Sequence, residues 1–161
     1  MTITIDIEAH YPRDPDALFE QALTFADLET AMRGVATYSG FDNRGRFAQG
    51  DVITVDIWFW RLFPTRAHRI TVERVDLGQR VRETRESHRG IRRWEHRLTV
   101  VQGAWEPALT GGPAGAVWRD HLILDAGWQT PMVGRFVQSV YRYGHRKRGA
   151  VRVRSRLTRS P

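Results

Sequence analysis

Between Val35 and Asp125 the sequence alternates polar and apolar residues with a period of two, and this pattern constrains the fold more than any other feature. It predicts six consecutive strands joined by short links rich in Gly, Asn, Asp and Pro. The same alternation at Ile3–Ala9 predicts a seventh strand. No segment of helical period separates the six strands, so we expect antiparallel neighbours and no parallel crossovers. The six predicted strands are Val35–Phe41, Val52–Phe63, Arg66–Val75, Gln79–Ser87, Ile91–Gln102 and Ala116–Asp125.

Three helices are predicted outside this run of strands. Asp14 followed by Pro15 is typical of a helix start, with an aspartate cap and a proline in the first helical position. A second short helix, about Ala26–Met32, ends before Gly34, where a left-handed cap costs little. The longest predicted helix spans about Thr130–Arg148 and is the only large apolar one. We therefore expect it to cover the apolar face of the sheet.

Length and composition favour one domain with a sizeable core. The 161 residues contain no Cys, which excludes disulfides and thiolate chemistry. No uninterrupted apolar stretch approaches the roughly 18 residues of a membrane span. The N-terminus lacks the basic region and continuous apolar region of a signal peptide, so we expect a cytoplasmic protein.

Charge is distributed unevenly along the chain. Residues 1–125 hold 16 basic and 18 acidic side chains, whereas residues 126–161 hold nine basic and no acidic ones. We divide the chain into a domain, residues 1–150, and a basic tail, residues 151–161, which continues the last helix or frays. Basic residues near a helix C-terminus complement the helix dipole, and a tail beyond it is solvated. The alternative is a surface for nucleic acid or an anionic membrane.

Two segments resemble the START-like superfamily, also called SRPBCC. The strand Trp94–Val100 (WEHRLTV) resembles the penultimate strand of bacterial polyketide cyclase/dehydrase-like members. The segment Asp120–Pro131 (DHLILDAGWQTP), with the helix ending YRYGHR at Arg146, is similar to the last strand and final helix of many bacterial members. The resemblance covers about residues 1–148.

This resemblance implies an α+β helix-grip fold. A seven-stranded, curved antiparallel sheet would wrap around the long C-terminal helix, with two short helices between strands 1 and 2. A strongly twisted sheet of this size curls, so a helix laid across it leaves a space between them. Because the superfamily includes lipid carriers, hormone receptors and ring-closing enzymes, the fold does not fix the function.

Two polar residues are predicted to face the interior from neighbouring strands. His96 shares its strand face with Trp94, and Asp120 shares its face with Trp118. A carboxylate that holds one imidazole nitrogen leaves the other nitrogen as a general base. His96 and Asp120 are therefore our candidate catalytic pair, for removing a proton from an enolisable carbon. The alternative is a buried polar pair that is satisfied and has no catalytic role.

Apolar residues on the same inward faces, and on the last helix, are predicted to bind the ligand. They are Ile53, Val55, Ile57, Phe59, Trp94, Leu98, Trp118, Leu122, Phe136 and Val140. The strand Gln79–Ser87 is polar on both faces, which favours a cavity wall bearing Arg and Glu. Trp58 and Trp60 fall on the opposite face from Ile57, where exposed aromatics suggest a homodimer contact. The alternative is that a β-bulge turns them into the pocket.

Three functions stay open from the sequence. The first is binding of a hydrophobic or aromatic small molecule without catalysis; the second is a cyclase- or dehydratase-like enzyme with His96 as general base. The third is an interaction protein that acts through the exposed Trp residues or the basic tail. We expect no cofactor and no metal, because the six His show no paired ligand spacing and no phosphate-binding Gly motif is present.

Overall fold

The computed structural model describes residues 1–41, 45–103 and 115–159. The link predicted at 42–45, the Gly- and Pro-rich link before the last predicted strand and the end of the basic tail lie largely outside these ranges. The described residues form eight strands and three α-helices. In chain order the elements are β1 (Ile3–Tyr11), α1 (Pro15–Ala22), α2 (Phe25–Met32), β2 (Ala36–Ser39), β3 (Val52–Phe59), β4 (Phe63–Asp76), β5 (Val81–Ser87), β6 (Arg93–Gly103), β7 (Gly115–Asp125), a 3₁₀ turn (Gly127–Gln129), α3 (Thr130–Lys147) and β8 (Arg152–Arg159).

All eight strands belong to one antiparallel sheet with the order β2-β3-β4-β5-β6-β7-β1-β8. Strands β2 to β7 pair in sequence, as expected for segments of period two without helical crossovers. β1 returns to pair with β7, so that Ile7 lies opposite Asp120. The antiparallel meander predicted from the sequence is therefore confirmed.

The first short helix begins at its predicted cap, and the second begins at Phe25 after a Thr24 cap that was not predicted. The side chain of Asp14 accepts a hydrogen bond from the Ala17 amide at 2.8 Å, and Pro15 occupies the first turn of α1. The Thr24 hydroxyl accepts from the Asp27 amide at 3.1 Å at the start of α2. Each cap satisfies one of the amides that the first helical turn leaves without a partner.

The predicted count of seven strands is wrong, because residues 152–159 form β8 along the free edge of β1. In β8 the side chains of Val153 and Leu157 turn toward the core, whereas the arginines between them are exposed. Residues 151–161 were predicted to continue the last helix or to fray. The described part of this segment does neither, because its period of two matches an edge strand and its apolar residues find contacts under α3.

The long helix α3 lies across the sheet and contacts β1, β8, β7 and α2. Its buried face includes Gly134, Val137 and His145. At Gly134 the helix approaches β1 so closely that an added Cβ would overlap Ile3 Cδ1. At this end α3 is packed directly on the sheet; toward β3–β6 the sheet and helix leave a cavity between them. Within the described ranges no helix has both the length and the apolar character needed to cross a bilayer.

Candidate ligand-binding cavity

A cavity of about 780 Å³ separates α3 from the inner face of strands β3 to β7. Most of its lining is apolar, and its opening is marked by exposed side chains that also line it. Met132 at the start of α3 is 65% exposed, and Trp60 after β3 is 50% exposed. A space of this volume lies within the range of pockets that enclose small molecules.

Aromatic rings form the wall nearest the opening. Phe136 of α3 meets Phe59 edge to face, with ring centroids 5.0 Å apart, and packs against Trp60 at 5.6 Å. Trp60 reaches this position because the chain turns after β3, where Trp60 and Arg61 both have positive φ. A register shift in the β3–β4 ladder lies earlier, between Val55 and Ile57. Trp60 thus enters the cavity by way of the turn, whereas Trp58 is half-buried.

The structure divides the ten predicted wall residues into two groups. Six of them line the cavity, namely Ile57, Phe59, Trp94, Trp118, Phe136 and Val140. The other four lie in the packed core. Ile53 and Val55 pack in the cluster that contains Phe25 of α2, Leu98 in the cluster of α1, and Leu122 in the cluster that contains Val137. The alternation of a strand predicts which side chains point to the inner face of the sheet. Whether such a side chain lines the cavity or lies in the packed core depends on where the helices cover that face.

The deepest part of the cavity wall contains the candidate pair His96 and Asp120. The structure brings them together, with His96 Nε2 donating to Asp120 Oδ1 at 2.8 Å. The indole of Trp118 donates to the same oxygen at 2.9 Å, and His145 Nε2 donates to Oδ2 at 2.7 Å. The carboxylate is 2% exposed and accepts three hydrogen bonds. Burial alone would raise the pKa of Asp120, but the hydrogen bonds from His145 and His96, joined by their positive charge whenever these rings are protonated, outweigh it and hold that pKa well below its usual range.

His145 is a member of this site that was not predicted from the sequence. It lies in the last turn of α3 and is 1% exposed, and the hydroxyl of Tyr11 in β1 lies 2.7 Å from its Nδ1. Since Nε2 donates to Asp120, Nδ1 of the neutral ring accepts from Tyr11. The signal that identifies it is its spacing: His145 follows Tyr141 by four residues, on the face of α3 that turns inward.

His96 has one ring nitrogen anchored and one directed toward the cavity. With Nε2 donating to Asp120, Nδ1 of the neutral ring is a proton acceptor. The Tyr141 hydroxyl lies 3.4 Å from this nitrogen, and both side chains line the cavity. Burial, followed by the charges of Glu86 and Asp120, raises the pKa of Tyr141, so its hydroxyl stays protonated. In this tautomer Nδ1 can accept a hydrogen bond from a donor group of a ligand.

A polar stripe, defined here as Arg82, Thr84 and Glu86, runs along the inner face of β5. Glu86 Oε2 accepts from His68 Nε2 of β4 at 2.7 Å. Burial raises the pKa of Glu86. The hydrogen bond and charge of His68, together with the charges of His96 and Arg82, outweigh this effect, so the pKa of Glu86 is lowered overall. The sequence predicted a polar wall in this strand, and its inner face consists of these residues.

Four buried polar atoms of cavity-lining side chains have no hydrogen-bond partner among the described residues. They are His68 Nδ1, Arg82 Nε, Thr84 Oγ1 and Trp94 Nε1. Buried polar groups are nearly always hydrogen-bonded, and each unsatisfied one costs about 1–3 kcal/mol. Of the five such atoms in the described residues, these four belong to the cavity lining, and only Arg142 Nε lies away from it.

The described residues contain no group of three or more His, Cys, Asp or Glu arranged to hold a metal ion. His96 and His145 both donate from Nε2 to the carboxylate of Asp120. Neither Nε2 is therefore free to bind a metal ion together with that carboxylate. The other ring nitrogen of His145 faces Tyr11.

Comparison with solved structures identifies the fold. The chain adopts the helix-grip architecture, and it superimposes on the crystal structure of Ara h 8.0201 with a TM-score of 0.60 and 13% sequence identity. The match covers 90% of this chain and 96% of that one. No protein-family model matches the sequence. No curated protein matches it either.

Proposed function

We propose that this protein binds a hydrophobic or aromatic small molecule in the cavity between the sheet and α3. The observation that carries the proposal is the cavity itself: about 780 Å³, mostly apolar, with a few polar groups converging at its inner end. Pockets for small molecules have this composition, in which apolar walls supply affinity and polar groups fix orientation. The helix-grip fold is compatible with such binding.

The apolar wall explains why a ligand would stay in the cavity. Burial of apolar surface contributes roughly 25 cal/mol per Å², and the rings of Phe59, Phe136 and Trp94 offer such surface on several sides. Aromatic rings also favour offset or edge-to-face contact with a ring of the ligand. An aromatic or alicyclic body fits this wall better than a strongly polar one.

Filling the cavity tests the proposal. The neutral fluorescent probe N-phenyl-1-naphthylamine is titrated into the wild type and into Val140→Trp, which adds bulk to the cavity wall. We expect binding by the wild type and at least about tenfold weaker binding by the variant. Val151→Trp is the matched control, because Val151 is 48% exposed and away from the cavity lining.

Circular dichroism confirms that each variant is folded before its affinity is compared. Absence of probe binding by the wild type would contradict the proposed function. Equal affinity of the wild type and a folded Val140→Trp variant would place the probe outside the cavity and would also contradict it.

A second candidate function, acid–base catalysis, is favoured by the orientation of His96. Its Nε2 is held by Asp120, while Nδ1 faces the cavity beside Tyr141. A base in this position can take a proton from an enolisable carbon, the step that the resemblance to cyclase-like proteins suggests. Positioned general bases contribute typically 10²–10⁴-fold to rate.

Proton exchange at an enolisable ketone tests the second candidate. With 2-tetralone in D₂O, we expect the wild type to accelerate α-proton exchange above the buffer rate, as followed by NMR. His96→Gln should return the rate to that of buffer, whereas His121→Gln should not, because His121 lies on the outer face of the sheet. A wild-type rate equal to the buffer rate would exclude this function for such ketones.

A further inference from the structure

Arg82 is a cation at the cavity wall, and no described residue forms an ion pair with it. Its Nη1 donates to the Ala22 carbonyl at 2.9 Å, and its guanidinium lies 4.6 Å from the ring centre of Phe47. Its Nε is buried and has no hydrogen-bond partner in the part of the chain that the structure describes. Within the described ranges no carboxylate lies at ion-pair distance from Arg82. An arginine remains protonated in such a site, and a buried charge without a partner is costly.

The acidic side chains around the cavity are already engaged elsewhere. Glu86 pairs with His68, and Asp120 accepts from three side chains. Asp27 pairs with Arg148 at 2.7 Å and accepts from Gln21 at 2.6 Å. None of these carboxylates is directed at Arg82, so its guanidinium keeps hydrogen-bonding capacity for a molecule in the cavity.

Thr84 supplies a second group beside Arg82. The two residues are i and i+2 on β5, which puts their side chains on one face about 7 Å apart at the backbone. Thr84 is 3% exposed, yet its hydroxyl has no hydrogen-bond partner among residues 1–41, 45–103 and 115–159. It lies opposite His96 in the β5–β6 ladder, so it belongs to the same inner region of the cavity. Since Arg82 and Thr84 both line the cavity, an anion bound by the Arg82 guanidinium lies beside a second residue with a hydrogen-bond donor.

The geometry points to an organic acid as the ligand: a hydrophobic body against the aromatic wall, with a carboxylate bound by Arg82 and Thr84. The inference rests on the proposed function, since it names the chemical class that the cavity takes. Guanidinium groups bind carboxylates through two parallel N–H···O bonds, which a neutral isostere cannot reproduce in full. The acid also gives half-buried Arg82 a counter-charge that no described residue provides at ion-pair distance.

A matched pair of probes tests the charge requirement directly. The affinities of 2-naphthylacetate and 2-naphthylacetamide, which share one aromatic body, are measured by isothermal titration calorimetry at neutral pH. We expect the wild type to bind the acid at least tenfold more tightly than the amide. In Arg82→Gln the two affinities should become equal, while binding of the amide changes less than threefold.

Two further variants control the measurement. Arg85→Gln removes an arginine from the same strand, where it is exposed and pairs with Glu73, and it should keep the full preference for the acid. Thr84→Val is nearly isosteric and should reduce the preference at least threefold. If Arg82→Gln does not fold, the preference of Thr84→Val for the acid over the amide is the measurement that tests the inference.

The outcomes separate this inference from the proposed function. If the wild type binds both probes equally, or if the preference survives in Arg82→Gln or is unchanged in Thr84→Val, the inference is overturned while cavity binding stands. If the wild type binds neither probe and also fails to bind N-phenyl-1-naphthylamine, the proposed function is overturned and the inference with it.

Discussion

Asp120 connects four elements of the fold through side-chain hydrogen bonds. Its oxygens accept from His96 of β6, Trp118 of β7 and His145 of α3, and His145 in turn bonds Tyr11 of β1. In a site that excludes water, such bonds strengthen one another, and loss of one member leaves the others unsatisfied. The network therefore holds α3 against the sheet at the inner end of the cavity, whether or not His96 acts as a base.

Replacing Asp120 by asparagine tests this structural role. At neutral pH we expect Asp120→Asn to lower the free energy of unfolding by about 3–5 kcal/mol, because an amide cannot accept from all three donors. Although burial raises the pKa of Asp120, its two histidine partners hold it below the unfolded value. The carboxylate therefore contributes its full stability above the unfolded pKa of about 4 and loses it progressively at lower pH.

The difference in the free energy of unfolding between the wild type and Asp120→Asn should thus shrink as the pH falls from about 5 toward 2, as measured by urea unfolding. Asp6→Asn is the matched control, since Asp6 accepts from His121 at 2.7 Å but both side chains are about half exposed. It should change stability by no more than about 1 kcal/mol. Equal losses in the two variants, or a gap that does not change with pH, would refute the role given to Asp120.

At the scale of elements, the close crossing of α3 over β1 depends on a residue without a side chain. A Cβ at Gly134 would overlap Ile3 Cδ1 and lie 3.4 Å from Leu157 Cδ1 of β8. Ile3 is 1% exposed and has little room to move. Gly134 therefore lets the helix pack on two strands at this end, while the other side of α3 faces the cavity.

The alanine variant of this residue has a clear expected effect. Gly134→Ala should destabilise the protein by about 1–3 kcal/mol through overpacking, despite the higher helix propensity of alanine. Gly144→Ala, in the same helix, should cost less, because its Cβ would lie 3.1 Å from Met32 Cε and 3.3 Å from Arg148 Nη1, which need to shift by only a few tenths of an ångström. Thermal and urea unfolding measure both variants. A Gly134→Ala protein as stable as Gly144→Ala would contradict the tight crossing.

The strand β8 shows why a continued helix or a frayed end was wrongly predicted for the C-terminal segment. Val153, Ser155 and Leu157 alternate with arginines, which is a pattern of period two. Following directly on a long helix, the same residues also allowed a frayed continuation. Pairing with β1, some 150 residues earlier in the chain, decides between these possibilities, and that contact leaves no local signal in the sequence.

For the molecule as a whole, the fold places part of the basic C-terminal segment beside acidic residues from the N-terminus. Arg154 and Arg156 of β8 lie directly across from Glu8 and Asp6 in the β1–β8 ladder. Opposite charges at such positions stabilise a sheet by about 0.2–1 kcal/mol per pair. This placement gives a structural reason for the uneven charge of the chain, and a role in binding nucleic acid or a membrane stays a prediction.

The sequence by itself determined the strand pattern, the three helices and the inward direction of His96 and Asp120. These follow from local rules, since the period of a segment gives its secondary structure and the face of each residue. Only the tertiary structure decided which inward residues line a cavity and which lie in solid core. It also decided that His145 joins Asp120, that β8 closes the edge of β1, and that Arg82 lacks a counter-charge. Each of these depends on contacts between residues that are remote in the chain. Such contacts set how far the curved sheet stands from the helices that cross it, and they leave no local pattern in the sequence.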